Sequence, residues 1–121
     1  MNRTHNIKRT IKVIIDRDAC RYQKLRIHNV RCIMSDKFIK ISGRLSSERQ
    51  IWNSPFIAIT IEGANREIID SKVSKTIYSN KHGFFDIKIF TSDIKELCVG
   101  TTEEVCAVGI MPLKQHGFNE I

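Results

Sequence analysis

Apolar and polar residues alternate along several short stretches of this chain. In the stretch FFDIKIF, Phe85, Ile87 and Ile89 fall on one side of an extended backbone and the charged residues between them on the other, because side chains on a strand switch faces at every residue. The polar run SNKHG before it supplies turn residues, and the strand-forming run TIY precedes that turn. Residues 76–90 are therefore predicted to form a β-hairpin.

The same period of two recurs in the stretches FIKISGRL and FIAITIE. Each places apolar residues on one face, as expected of a half-buried strand. IKVII is a further strand candidate, and VCAVGIM is apolar on both faces, which is typical of a deeply buried central strand. The alternation predicts that four residues face the core together: Ile41, Ile59, Phe85 and Ile87.

Two places depart from the regular alternation. The apolar phase changes midway through LRIHNVRCIM, which indicates either a turn or a β-bulge around His28 and Asn29. Gly43 interrupts FIKISGRL. It either lies where a neighbouring side chain, Trp52 or Phe85, crosses the strand, or marks a bulge that bends the sheet.

Helical signals are scarce in this sequence. The best is TSDIKEL, which allows at most one short helix near residues 91–97. About seven short strands, separated by turn residues in SSERQ, NSP, EGAN and SNKHG, favour an all-β protein. We therefore predict a single antiparallel β-sandwich, and one domain spanning residues 1–121 because no linker or repeat divides the chain.

The order IKISGRLSS…NSPFIAITIEG…SKTIYSNKHGFFDIKI resembles the prealbumin-like β-sandwiches, which include transthyretin and the carboxypeptidase regulatory-like domains. The resemblance covers residues 38–90, and immunoglobulin-like modules share a similar outline. The resemblance implies a β-sandwich fold and does not imply a function. The hydrolase branch of the transthyretin group ends in a Tyr-Arg-Gly-Ser signature, whereas this chain ends in LKQHGFNEI, so no catalytic residue is carried over.

Composition and motifs narrow the function classes. The apolar runs are far shorter than the ~18 residues that cross a bilayer, and the N-terminus lacks the apolar core of a signal peptide, so we predict a cytoplasmic protein without a transmembrane segment. Nucleophile elbows, phosphate-binding glycine loops, His-Glu-x-x-His and Cys-x-x-Cys motifs are all absent from the sequence. The prediction is a non-enzymatic protein with no catalytic residues, no cofactor and no metal site.

The four cysteines are interpreted as buried core thiols. Two alternatives stay open. Cys98 and Cys106 flank the stretch VGTTEEV and would form a disulfide if they faced one another across a hairpin. The same two thiols with His82 or His116 would suit a structural zinc ion.

Charge is distributed unevenly between the two halves of the chain. Residues 1–49 hold 13 Lys and Arg against 4 Asp and Glu, a net charge of +9, whereas residues 50–121 hold 7 against 9, a net charge of −2. This excess of positive charge has two interpretations. It is either an ordinary solvated surface or a binding patch for an anionic partner. The candidate binding residues are Arg21, Lys24, Arg26, Arg31 and Trp52.

Trp52 lies in a loop-like position. There it either plugs one end of the sandwich or stands exposed as a contact anchor.

Two functions of different class follow from these features. The first is a module for protein–protein contact or assembly, in which the basic N-terminal half binds an acidic protein surface or, by self-association into a homo-oligomer, another copy of the chain. The alternative is a small basic nucleic-acid-binding regulatory protein. Aromatic residues are not interleaved with the charges along the basic stretch, which disfavours a single-strand stacking platform.

Overall fold

A computed structural model describes residues 8–47, 56–79, 82–94 and 105–113. The described residues form one α-helix and nine strands, and the strands make up two sheets. This confirms the prediction of an all-β sandwich. The elements in chain order are β1 (Arg9–Thr10), β2 (Lys12–Ile15), α1 (Arg17–Gln23), β3 (Leu25–Met34), β4 (Phe38–Ser47), β5 (Phe56–Glu62), β6 (Ile68–Lys75), β7 (Ile77–Ser79), β8 (His82–Phe90) and β9 (Ala107–Leu113).

The strands divide between a five-stranded sheet, in the order β1-β3-β4-β8-β7, and a four-stranded sheet, in the order β2-β9-β5-β6. The predicted hairpin is present, because β7 pairs antiparallel with β8. All pairs are antiparallel except β2 with β9, which is parallel. The prediction of a purely antiparallel sandwich is therefore wrong for this one pair of strands. The N-terminal segment runs first along the edge of one sheet and then along the edge of the other.

The core lies between the two sheets and is built from the inward-facing residue of each alternating pair. Ile41 and Ile59 are fully buried, and Phe85 and Ile87 are exposed by only 2% and 7%. All four predicted core residues therefore face inward. From β9, Val108 and Ile110 join the same cluster, which accounts for the apolar composition of the stretch VCAVGIM.

Gly43 leaves room for the aromatic ring of Phe85. The two residues are direct partners across β4 and β8. A Cβ atom built on Gly43 would lie 2.9 Å from Cε2 of Phe85 and closer still to its Cζ. Of the two roles predicted for this glycine, the crossing side chain is confirmed, and the side chain is Phe85. Trp52 lies outside the described residues.

The phase change in β3 is a β-bulge. The register with β4 shifts between His28 and Arg31, and Asn29 adopts a φ of 56°. This left-handed conformation is tolerated by asparagine better than by most non-glycine residues. Arg26 and Arg31 both remain exposed on either side of the bulge, while Ile27 and Cys32 are buried.

Two sequence predictions need correction. The number of strands is nine in the described residues rather than about seven, because β1 and β6 were not predicted: β1 has only two residues, and β6 has no buried face to give an alternating signal. The short helical turn predicted near residues 91–97 is present as a 3-10 helix at Thr91–Asp93, and residues 95–97 lie outside the described residues. The limit to one helix is wrong, because the α-helix α1 lies far earlier in the chain.

Helix α1 is short and forms because both of its ends are capped. The Asp16 carboxylate accepts a hydrogen bond from the Ala19 backbone N–H at 3.0 Å. Lys24 ends the helix in a left-handed conformation, φ 59°. The Gln23 side chain donates to the Pro112 carbonyl at 2.7 Å, so the helix is tied to β9. None of the helices in the described part of the chain has the length and apolarity needed to cross a bilayer.

Candidate binding surfaces

The solvent side of the five-stranded sheet is strongly basic. We call this surface the basic face and define it by its exposed cations, which lie on three adjacent strands: Arg26, Arg31, Lys40, Arg44 and Lys88. The only acidic residue of β3, β4 and β8 is Asp86, also exposed, so five cations face one carboxylate. The net charge of these groups is +4, because five positive charges and one negative charge are present.

Pairing across the sheet places two of these cations directly opposite one another. Lys40 is the direct partner of Lys88. Like charges that are directly opposite on neighbouring strands destabilise a sheet by a few tenths of a kcal/mol up to ~1 kcal/mol. An anionic partner that covers this pair would offset its repulsion.

Aromatic side chains are interleaved with the cations of the basic face. Phe84 and Phe90 are about half exposed, and Phe38 is half-buried. The Lys88 Nζ lies 4.4 Å from the centroid of the Phe38 ring and 5.6 Å from that of Phe90, within cation–π range. The sequence order hides this arrangement because the rings come from β4 and β8, whereas the candidate arginines come from α1 and β3.

A basic cleft opens where α1 meets the end of the five-stranded sheet. Its volume is about 820 Å³. Its floor includes the buried side chains of Cys20, Leu25 and Ile27. Polar and charged residues complete the lining, and we define the basic cleft by them: Arg17, Arg21, Lys24, Arg26, His28, Ser46, Ser47 and His82.

Local structure explains why these residues converge. The Lys24 cap turns the chain from the last turn of α1 directly into β3, so that Arg21, Lys24 and Arg26 fall within one sharp corner. Arg21 forms an exposed ion pair with Asp18 one turn earlier in the helix. The Arg17 guanidinium reaches back to the Ile27 carbonyl at 3.4 Å.

The predicted site residues are thus distributed over two adjoining surfaces. Arg21 and Lys24 line the basic cleft, Arg31 lies on the basic face, and Arg26 contributes to both. Trp52 lies outside the described residues.

Sequence reasoning missed about half of the cations that the fold assembles. Lys40, Arg44 and Lys88 alternate with buried isoleucine and leucine residues, so their outward direction was readable from the period of two. The pairing of β4 with both β3 and β8 was not readable, and it is this pairing that gathers them. The prediction that charges and aromatics are not interleaved holds along the sequence but not across the sheet.

The opposite surface of the sandwich has a different character. Three adjacent strands of the four-stranded sheet, β2, β9 and β5, present Ile14, Met111 and Ala58 to its outer side, all half-buried. Glu62 is buried there, and its carboxylate accepts hydrogen bonds from the Thr60 hydroxyl at 3.2 Å and from the Arg66 Nε at 2.6 Å. The one buried acid of this sheet is therefore neutralised locally, and the unbalanced charge lies on the basic face.

The thiols divide into buried and exposed groups. Cys20 and Cys32 are buried, while Cys106 is exposed, and all three are free thiols; Cys98 lies outside the described residues. Burial raises the pKa of Cys32 to about 12, even though the nearby Arg9 acts in the opposite direction. Burial likewise raises the pKa of Cys20. The interpretation as core thiols is confirmed for Cys20 and Cys32 and is wrong for Cys106.

The raised pKa of Cys32 makes stability depend on alkaline pH. Between its ordinary value of 9.0 and about 12, the unfolded chain releases the thiol proton while the folded chain keeps it. The free energy of unfolding therefore falls as pH rises through this range, by up to ~1.4 kcal/mol per pH unit. Urea unfolding at pH 8.5 to about 10.5 measures the slope. We expect a shallower slope for Cys32→Ala. The control Ser42→Ala removes no titrating group and should keep the slope of the parent. Equal slopes in all three proteins contradict the assignment.

No protein-family model, curated protein or solved structure gives a significant match to this chain. The resemblance to prealbumin-like sandwiches stays a prediction, and function has to be argued from the two basic surfaces.

Proposed function

We propose that this protein is a non-enzymatic β-sandwich module that binds an acidic surface of a partner protein through the basic face. The observation that carries the proposal is the gathering of Arg26, Arg31, Lys40, Arg44 and Lys88 on one side of one sheet, with Asp86 as the single acid of those strands. Complementary potentials of this kind raise association rates and select partners.

The composition of the basic face suits a protein partner. Interfaces between proteins are enriched in arginine and aromatic residues, and both are present in Arg31, Arg44, Phe84 and Phe90. A sheet face is also a rigid platform, because its backbone is held by hydrogen bonds to strands on both sides. Ordering the partner on it costs little conformational entropy on this side of the complex.

Single-stranded nucleic acid is the second candidate, and the exposed aromatic rings favour it. Bases stack on such rings, at about 1–3 kcal/mol per base. Two of the three rings are already engaged, however, since Lys88 lies over both Phe38 and Phe90. Phe84 is left as the exposed ring opposite Arg44, which is a small platform for a nucleic-acid strand.

A charge-reversal pair tests the basic face against a matched control. Arg31→Glu with Arg44→Glu places two acids at the centre of the face, and Lys12→Glu with Lys75→Glu makes the same change in net charge on exposed residues of the other sheet. The probes are poly-L-glutamate, which stands for an acidic polypeptide, and a 20-nucleotide single-stranded DNA. Fluorescence anisotropy at several salt concentrations gives both affinities.

We expect the face variant to weaken binding of poly-L-glutamate by about tenfold or more, mainly through a slower association rate, and the control variant to weaken it much less. Added salt should reproduce the loss in the parent protein. Equal weakening by the two variants would make the basic residues ordinary solvated surface. Tighter binding of the DNA, lost on Phe84→Ala, would favour the nucleic-acid function instead.

A further inference from the structure

The basic cleft concentrates positive charge in a concave space. Four cationic side chains line it, Arg17, Arg21, Lys24 and Arg26, together with the imidazoles of His28 and His82. None of its described lining residues is acidic. Its volume of about 820 Å³ falls within the range of sites for small molecules, roughly 300–1,000 Å³.

We propose that the basic cleft binds a soluble small molecule that carries at least two phosphate groups, such as a nucleoside diphosphate. This inference goes beyond the proposed function, because it concerns a second ligand and an adjoining surface that shares only Arg26 with the basic face. Each phosphate carries about −1.5 to −2 near neutral pH, so a ligand with two phosphates supplies enough negative charge to engage several of the cations that line the cleft at once.

The kinds of donor in the cleft suit phosphate. Guanidinium groups bind phosphate oxygens through two parallel N–H bonds, and lysine adds a compact charge. Arg21 and Arg17 each use part of their donors within the chain, on Asp18 and on the Ile27 carbonyl. A guanidinium has five N–H donors, so these bonds leave others for a ligand and also fix the direction of the side chains.

The shape of the cleft separates it from the basic face. The cations of the face are spread along three strands of an open sheet, as suits an extended partner. Those of the cleft converge from the helix α1, its cap and the start of β3 on one volume. Ser46 and Ser47, which pair with Arg26 and Leu25 across β3 and β4, add hydroxyl groups to the lining, and the buried apolar residues accommodate an uncharged part of the ligand.

Isothermal titration calorimetry with pyrophosphate and with ADP tests the proposal, with citrate as a carboxylate of similar charge. The cleft variant combines Arg21→Gln with Lys24→Asn; asparagine is chosen because Lys24 has a φ of 59°. The control variant, Lys12→Gln with Lys75→Gln, removes the same charge from exposed residues of the four-stranded sheet, outside both the cleft and the basic face. The melting temperature of each protein, measured without ligand, shows that it is folded.

We expect the parent to bind pyrophosphate and ADP more tightly than citrate, the cleft variant to lose about tenfold or more in affinity for both, and the control to lose less than about twofold. In the parent, pyrophosphate should shift the backbone amide signals of Lys24, Arg26 and His28 in a two-dimensional NMR spectrum.

The inference is overturned if pyrophosphate at millimolar concentration does not bind the parent, if both variants lose affinity equally, if citrate binds as well as pyrophosphate, or if those amide signals stay in place. The face variant Arg31→Glu with Arg44→Glu alters no residue that lines the cleft. If the face variant shows that the basic face does not bind an acidic partner, the result for phosphate binding in the cleft is unaffected. If the cleft does not bind phosphate, the proposal for the basic face is likewise unaffected.

Discussion

Replacing Phe85 by alanine should lower the free energy of unfolding by about 3–5 kcal/mol. Phe85 is 2% exposed and belongs to the largest fully buried side chains of the core. Its ring lies directly over Gly43, where no other side chain from β4 fills the space. Alanine therefore leaves a cavity under the sheet that the neighbouring backbone cannot close.

Urea denaturation followed by circular dichroism measures this loss. The matched control is Phe84→Ala, since Phe84 precedes Phe85 on the same strand but is 46% exposed. We expect the control to cost less than about 1 kcal/mol, as surface substitutions usually do. A similar loss in both variants would mean that the two rings do not occupy opposite sides of β8, and the register of the hairpin would be wrong.

Gly43→Ala should destabilise the protein by about 1–3 kcal/mol, because the new methyl group overlaps the ring of Phe85. The loss of stability comes from the overlap of the methyl group with the Phe85 ring and not from backbone strain at residue 43. In the background of Phe85→Ala the same substitution should therefore cost little, and the two changes should be non-additive by roughly 0.5–3 kcal/mol.

Ser42→Ala is the control for Gly43→Ala, because Ser42 is the preceding residue of β4 and takes the other face. Its effect should be small and should not change when Phe85 is also replaced. Additive free energies for Gly43→Ala and Phe85→Ala would show that the ring does not rest on the glycine.

The strands were predictable from the sequence because alternation is a local property. FIKISGRL, FIAITIE and FFDIKIF each show which residues face inward without reference to any other strand, and the core residues Ile41, Ile59, Phe85 and Ile87 follow from that alone. The position of the bulge was also readable, because the apolar phase of β3 changes there.

Helix α1 was not predicted, since its one buried residue is Cys20 and no apolar stripe marks it. It depends instead on a cap at Asp16 and on the contact of Gln23 with the Pro112 carbonyl, 89 residues away in the sequence.

The candidate site was only partly predictable for a related reason. Arg21, Lys24, Arg26 and Arg31 are near neighbours in the sequence and were recognised as a group. Lys88 joins them only because β8 pairs with β4, a contact between residues more than 40 positions apart. Charge segregation along the chain therefore indicated a basic surface, while its extent and its aromatic content depended on long-range pairing.

The bulge in β3 affects how this chain tolerates changes in its length. Arg26 and Arg31 are five positions apart, and an uninterrupted strand would send them to opposite sides of the sheet. The extra residue between His28 and Arg31 brings Arg31 back to the side of the sheet on which Arg26 lies, so both arginines point to solvent. Removing Asn29 would leave a regular strand in which every remaining side chain keeps its side, whereas a single deletion elsewhere in β3 exchanges core and surface. Position 29 is therefore the one place in β3 where a chain shorter by one residue would keep the same core, and where a one-residue gap belongs in a sequence alignment.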